Sequence, residues 1–138
     1  PDDLNICCPI SDKKFNVKVV NRLKYGVNTY IRKGKKNEEN LIQTKTLNEI
    51  IDKSKYRNRE IDLLNIDTEG NDFNVLKSVN LKKYKPKIII IEIHEKKIQN
   101  IIKSALFKYL SKYKYNLRSW SFYSLIFVKQ NSKLIRNR

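Results

Sequence analysis

The chain contains no methionine, three glycines, three prolines, two cysteines, one histidine and one tryptophan in 138 residues. Each shortage excludes something. Gly26, Gly34 and Gly70 stand far apart, so no strand–glycine loop–helix unit exists in the chain. Neither a dinucleotide fingerprint nor a phosphate loop can be built without one, which removes hydride or phosphoryl transfer by the usual loops. Cys7 and Cys8 are adjacent and have no further partner, so there is no disulfide framework and no metal-ligand spacing. As strand neighbours they would point to opposite faces, and buried thiols in a reducing compartment are expected. No apolar run approaches the ~20 residues of a membrane span, and no leader-like segment precedes the first strand. A cytoplasmic protein without a membrane span is expected. Nothing marks a nucleophilic serine or cysteine, so Ser-His-Asp chemistry has no basis.

Acid is scarce as well. Asp and Glu number 14 against 30 Lys and Arg, a formal charge of +16. Such a charge invites a non-enzymatic α/β module that docks on nucleic acid or another polyanion. The pattern argues against it. The cations are mostly lysines scattered through the chain, with clusters such as Lys82-Lys83-Lys85-Lys87 beside loops. A solvated face is the preferred reading, and nucleic acid is not the expected partner.

Taken in order, Leu4–Ile10 reads as a short buried strand ended by Pro9. Phe15–Val19 alternates like a half-exposed strand. The stretch around Gly26 and Gly34 reads as a loop or loose hairpin, and Leu41–Lys45 as another short strand. Thr46 and Glu49 form a capping box opening a helix with Leu47, Ile50 and Ile51 inward. Ile98 to Tyr113 repeats apolar residues at helical spacing. Tyr115–Trp120 and Tyr123–Lys129 read as an antiparallel pair. The expected fold is a single α/β domain over residues 1–129, largely parallel with an antiparallel C-terminal edge, followed by a polar tail over 130–138.

The organising stretch is Ile61–Glu95. Two apolar runs, Ile61–Ile66 and Ile88–Ile91, suit parallel strands buried on both faces. Each ends in acids, Asp67 and Glu69 in the first case, Glu92 and Glu95 with His94 in the second. Ligands bind outside the carboxyl ends of strands in open α/β sheets. Gly70 permits a tight turn between them, and Asn71 or Asp72 can cap the following helix. Asp67 and Glu69 can bind an amine, hold a cation or take a proton from a hydroxyl; equally, they can be a capping acid and a solvated turn. Glu92 and His94 leave the same face of their strand. A general base fits there, as does one Mg²⁺ held by oxygen ligands with His94 nearby.

These residues carry a resemblance. Ile61–Lys77 with its Asp67-Thr68-Glu69-Gly70 core, then Lys85-Pro86 and Ile91-Glu92-Ile93-His94, resembles the FkbM-type methyltransferase family. Thr46–Ile51, Ile10-Ser11-Asp12, Gly26-Val27-Asn28-Thr29 and Leu125–Val128 look like further segments of it. The resemblance implies a Rossmann-like class I methyltransferase sheet lacking its first strands, and S-adenosylmethionine as cofactor. It implies O-methylation of a sugar, glycan or other small-metabolite hydroxyl. By the same likeness Asp67 lies near the cofactor's methionine part, Ser11 and Asp12 near its adenine, and Asp67, Glu69, Glu92 and His94 form the catalytic side. The glycine-rich cofactor loop and the ribose-binding acid belong upstream of Pro1, so the chain is expected to be the C-terminal part of the family domain and inactive alone. The family usually has Lys at Asn65, Asp at Asn48 and Gly at Ser78.

Overall fold

The structure is a computed structural model and describes residues 3–22 and 28–131. Gly26 and Val27, and the tail past Asn131, lie outside the described residues.

Strand β1 (Asn16–Arg22) pairs antiparallel with β2 (Asn28–Lys33) on one side and with β3 (Ile42–Gln43) on the other. The alternation read over Phe15–Val19 holds only in part: Val17 is buried beside exposed Asn16, but Val19 is exposed and Lys18 half-buried. The loop-or-hairpin expectation resolves as a hairpin, because β2 runs in register with β1 from Val17↔Lys33 to Arg22↔Asn28. Gly34 follows, where a Cβ would lie 3.2 Å from the Asn16 carbonyl, a tight backbone approach, and 2.5 Å from Leu41 Cδ2, a side-chain end that can turn away.

Helix α1 (Leu47–Lys53) opens on the expected capping box. The Glu49 amide donates to Thr46 Oγ1 at 3.2 Å, and the Thr46 amide donates to Glu49 Oε2 at 3.2 Å. Two donors that the helix leaves orphaned are thereby satisfied. Then follow β4 (Leu63–Ile66), α2 (Asp72–Lys77), β5 (Ile88–Glu92), α3 (Ile98–Lys103), α4 (Ala105–Lys112), β6 (Tyr115–Ser121) and β7 (Ser124–Lys129). The last four strands form one sheet in the order β4-β5-β7-β6.

Several expectations need correction. The sheet is not largely parallel. Among the described strands of this sheet only β4 and β5 pair in parallel, because α2 carries the chain back as a crossover. The β6–β7 hairpin then lays β7 antiparallel on the other edge of β5. Nor are the central strands buried on both faces. Ile66, Ile89, Ile91, Leu125 and Phe127 pack under Val75, Leu76, Ile101, Leu106 and Leu110. On the opposite face Leu63 is 52% exposed, and Ile88, Ile90, Ile126 and Val128 are half-buried, since the described helices cover one side.

Leu4–Ile10 is not a buried strand either. It touches strand-like geometry only through the Ile10–Lys45 bridge, and Leu4 and Ile6 are nearly half exposed. Pro9 lacks an N–H, and the adjoining β3 is only two residues long, so there is little ladder to join. Cys7 is exposed and Cys8 half-buried, so the thiols are not core groups. The long helix expected over Ile98–Tyr113 is broken at Ser104, which caps α3 at φ −63°, ψ 153° and starts α4. Its hydroxyl accepts from the Phe107 amide at 3.1 Å, a local bond that competes with helix continuation. Among the described residues no helix is long and apolar enough to cross a membrane.

Candidate active site

Parallel pairing brings the carboxyl ends of β4 and β5 to one edge, at the Ile66↔Ile91 rung. The β4–α2 loop and the segment after Glu92 therefore share that edge. Asp72 builds the loop. It is 5% exposed and accepts hydrogen bonds from the Thr68 amide (2.8 Å), the Thr68 hydroxyl (3.2 Å) and the Gly70 amide (3.1 Å). Glu69 (φ 50°) and Gly70 (φ 97°) both take left-handed backbone. Glycine does so freely, whereas Glu69 carries a cost of about 1 kcal/mol. Asn71, at the N-cap position, makes no side-chain cap bond. Its Nδ2 instead donates to the Ile10 carbonyl at 2.9 Å, tying the loop to the Ile10–Asp12 turn.

Glu92 is the centre of the cluster. Its side chain is 16% exposed, and its Oε2 lies 3.5 Å from His94 Nε2, too far for a well-formed hydrogen bond. That oxygen is buried without a hydrogen-bond partner among the described residues. Burial pushes the Glu92 carboxyl up; His94 opposes this, while Asp67, Asp72 and Glu69 add to it. The ligand atoms of Glu69, Glu92 and His94 lie within 4.8 Å of one another, as do those of Asp67, Asp72 and Glu92. Asp67, Glu69 and His94 are exposed, and the His94 ring sits 5.0 Å from that of Tyr123.

The structure thus gathers Asp67, Glu69, Glu92 and His94. Ser11 and Asp12 are placed differently. Ser11 is buried, and its amide donates to the Lys45 carbonyl at 3.0 Å. Asp12 is paired with Lys77 at 2.7 Å, and the hydrogen bond to that ammonium holds its carboxyl below the usual range. The residue that sequence reasoning undervalued is Asp72, taken only as one possible helix cap. The available signal was an acid two positions after a turn glycine, where its oxygens can reach back to the loop amides.

As to a cation, Asp72 spends both its oxygens on loop donors. The remaining trio offers a histidine nitrogen beside two carboxylates, whereas Mg²⁺ prefers an octahedral oxygen set.

A family model described as the methyltransferase FkbM domain matches residues 10–117. This chain belongs to the FkbM methyltransferase family. No curated protein and no solved structure matches it. Membership makes it a methyltransferase by family, and the match spans both strand ends of the cluster. Ser78 and Asn48, where the resemblance implies Gly and Asp, face each other across the α1–α2 seam. Ser78 Oγ accepts from the Leu47 amide at 3.0 Å and donates to the Val75 carbonyl at 2.6 Å. Asn48 Oδ1 accepts from the Asn80 amide at 2.7 Å. The third, Asn65, is exposed on β4.

Proposed function

We propose that this FkbM-family domain is the acceptor side of an S-adenosylmethionine-dependent O-methyltransferase acting on a hydroxyl of a sugar, glycan or other small metabolite. The observation that carries the reading is the Glu92–His94 pair. A buried, unpartnered carboxylate oxygen stands 3.5 Å from an exposed imidazole at the carboxyl ends of two parallel strands. S-adenosylmethionine, when bound, supplies an electrophilic methyl group on a sulfonium centre. The residues present suit its cationic part: the carboxylates of Asp67 and Glu69 are exposed at this edge of a chain otherwise strongly positive. Attraction between unlike charges, stronger in a partly enclosed site than in water, would hold an ammonium or sulfonium there.

The chain's own groups would then act as follows. His94 accepts the proton of the acceptor hydroxyl as methyl transfer makes that oxygen more acidic. Glu92 stabilises the imidazolium that forms, as a carboxylate does behind a catalytic histidine. Asp72 holds the Thr68 and Gly70 amides and so positions Asp67 and Glu69. Ser11 and Asp12 form the wall on the Ile10 side, although Asp12 must give up Lys77 before it can bind an adenine amine.

A methyl-transfer assay of the complete protein with labelled cofactor and a panel of glycan and small hydroxyl acceptors tests the reading. Label should pass to oxygen, and His94→Ala should lower kcat by at least about 100-fold, the usual share of a general base. Label appearing only on nitrogen or carbon, or His94→Ala turning over normally, would rule this assignment out. Because the chain holds no glycine-rich loop, these 138 residues alone should bind the cofactor more weakly than micromolar. Calorimetry showing micromolar binding would overturn that.

A further inference from the structure

The opposite end of the same sheet has a second feature that methyl transfer does not use. An open cavity of about 600 Å³ lies at the amino ends of β4 and β5 and the carboxyl end of β7. Among the described residues six cations line it: Arg57 and Arg59 before β4, Lys83, Lys85 and Lys87 in the α2–β5 connection, and Lys129 at the end of β7. Glu60 is the only acid among the described lining residues, and it is already 3.2 Å from Lys87. Lys87 also holds Asp62 at 2.6 Å, and Lys83 pairs with Asp52. That leaves four cations for which no carboxylate partner is found among the described residues: Arg57, Arg59, Lys85 and Lys129.

Lys129 sits half-buried at this cavity. Its ammonium donates to the Tyr113 carbonyl and lies 4.6 Å from the centroid of the Tyr115 ring. Burial lowers its pKa, and the neighbouring charges of Lys85 and Lys114 lower it further. A group in that position gains from an anion beside it. Solvated surface lysines need no such explanation. Here they converge from three separate segments of chain on one concavity, of the size that holds a small ligand.

We propose that this cavity binds a small phosphate-bearing ligand, with the guanidinium groups of Arg57 and Arg59 taking phosphate oxygens and Lys85 and Lys129 completing the charge. Guanidinium forks match phosphate geometry, and ammonium groups act as point charges beside them. A compact pocket rather than a linear stripe favours a small phosphorylated molecule over nucleic acid. The proposal does not depend on the methyltransferase reading.

Calorimetric titration with inorganic pyrophosphate tests it, using the wild-type chain, Arg57→Gln/Arg59→Gln, and Lys108→Gln/Lys112→Gln as a charge-matched control on the exposed face of α4. All replaced side chains are exposed, so folding should be retained, and circular dichroism checks this. The expected result is saturable 1:1 binding weakened at least tenfold in the arginine variant and less than twofold in the control. Resonances of Lys85 and Lys129 amides should shift on titration. No saturable binding to wild type, or equal weakening in both variants, would overturn the proposal. So would a DNA duplex that binds wild type and both variants with the same steep salt dependence while pyrophosphate fails to compete.

Discussion

Asp72 offers the sharpest test of how the site is built. Its carboxylate is buried and accepts three hydrogen bonds, two of them from backbone amides of the loop that presents Asp67 and Glu69. A hydrogen bond to a charged group contributes about 1.5–3 kcal/mol net, and a buried donor left unpaired costs about 1–3 kcal/mol. Asp72→Ala strands the Thr68 and Gly70 amides, though water can reach the exposed loop and recover part of the loss. The expected destabilisation is therefore about 3 kcal/mol rather than the full sum. Asp72→Asn keeps one acceptor oxygen and sets an amide donor against the other N–H, for about 2 kcal/mol. Urea unfolding monitored by circular dichroism reads both values. The loop should also loosen, so amide exchange at Thr68 and Gly70 should speed up more than exchange in β5. Asp72→Ala lying within 0.5 kcal/mol of wild type, with exchange at Gly70 unchanged, would refute the claim that this carboxylate builds the loop.

Other predictions follow from the same geometry. Glu92 has a raised folded-state pKa, so its protonated form favours folding. That contribution is fully present below about 4.5, the ordinary glutamate value, and is lost as pH rises through the higher folded value. Glu92→Gln should then be more stable than wild type at pH 8 and no more stable at pH 4; a variant less stable at pH 8 in urea unfolding would contradict the assigned environment. Thr46→Ala removes the capping box and should cost about 1 kcal/mol, measurable by the same method. Ser78→Gly should cost about 1–2 kcal/mol by stranding the Leu47 amide, whereas Asn48→Asp keeps the acceptor for Asn80 and should stay within about 0.5 kcal/mol. Tyr115→Phe leaves the buried Pro86 carbonyl without its 2.7 Å donor and should cost about 1–2 kcal/mol.

Much of this was legible in the residues. The capping box needed only Thr46 and Glu49, and the β4–α2–β5 unit needed only two isoleucine-rich runs around a polar turn, because local chemistry decides both. Most of what failed depends on distant chain. Whether Leu63 and Ile88 are covered depends on what packs over that face, and periodicity within β4 does not reveal it. The antiparallel C-terminal edge was legible, since the two-residue turn at Phe122–Tyr123 makes β6 and β7 a hairpin, but that turn does not say that β7 joins β5. Ser104 broke α3 from α4 because a serine at its own cap competes with an apolar pattern that would have continued. At the site, strand alternation put Glu92 and His94 on one face of β5, but β5 ends at Glu92 and His94 approaches it from the segment beyond. The ion pair of Asp12 with Lys77 came from residues far apart in sequence and carried no local signal.

The central claim is that the Glu92–His94 pair at the paired strand ends serves methyl transfer to a hydroxyl. The direct measurement is kcat against pH for the complete protein and its Glu92→Gln variant, with labelled S-adenosylmethionine and an accepted hydroxyl substrate, after confirming that the variant folds. The account predicts a kcat lowered by about 100-fold or more with KM for the cofactor little changed, and an altered basic-limb profile. Equal kcat and an identical pH profile in the two proteins would contradict it.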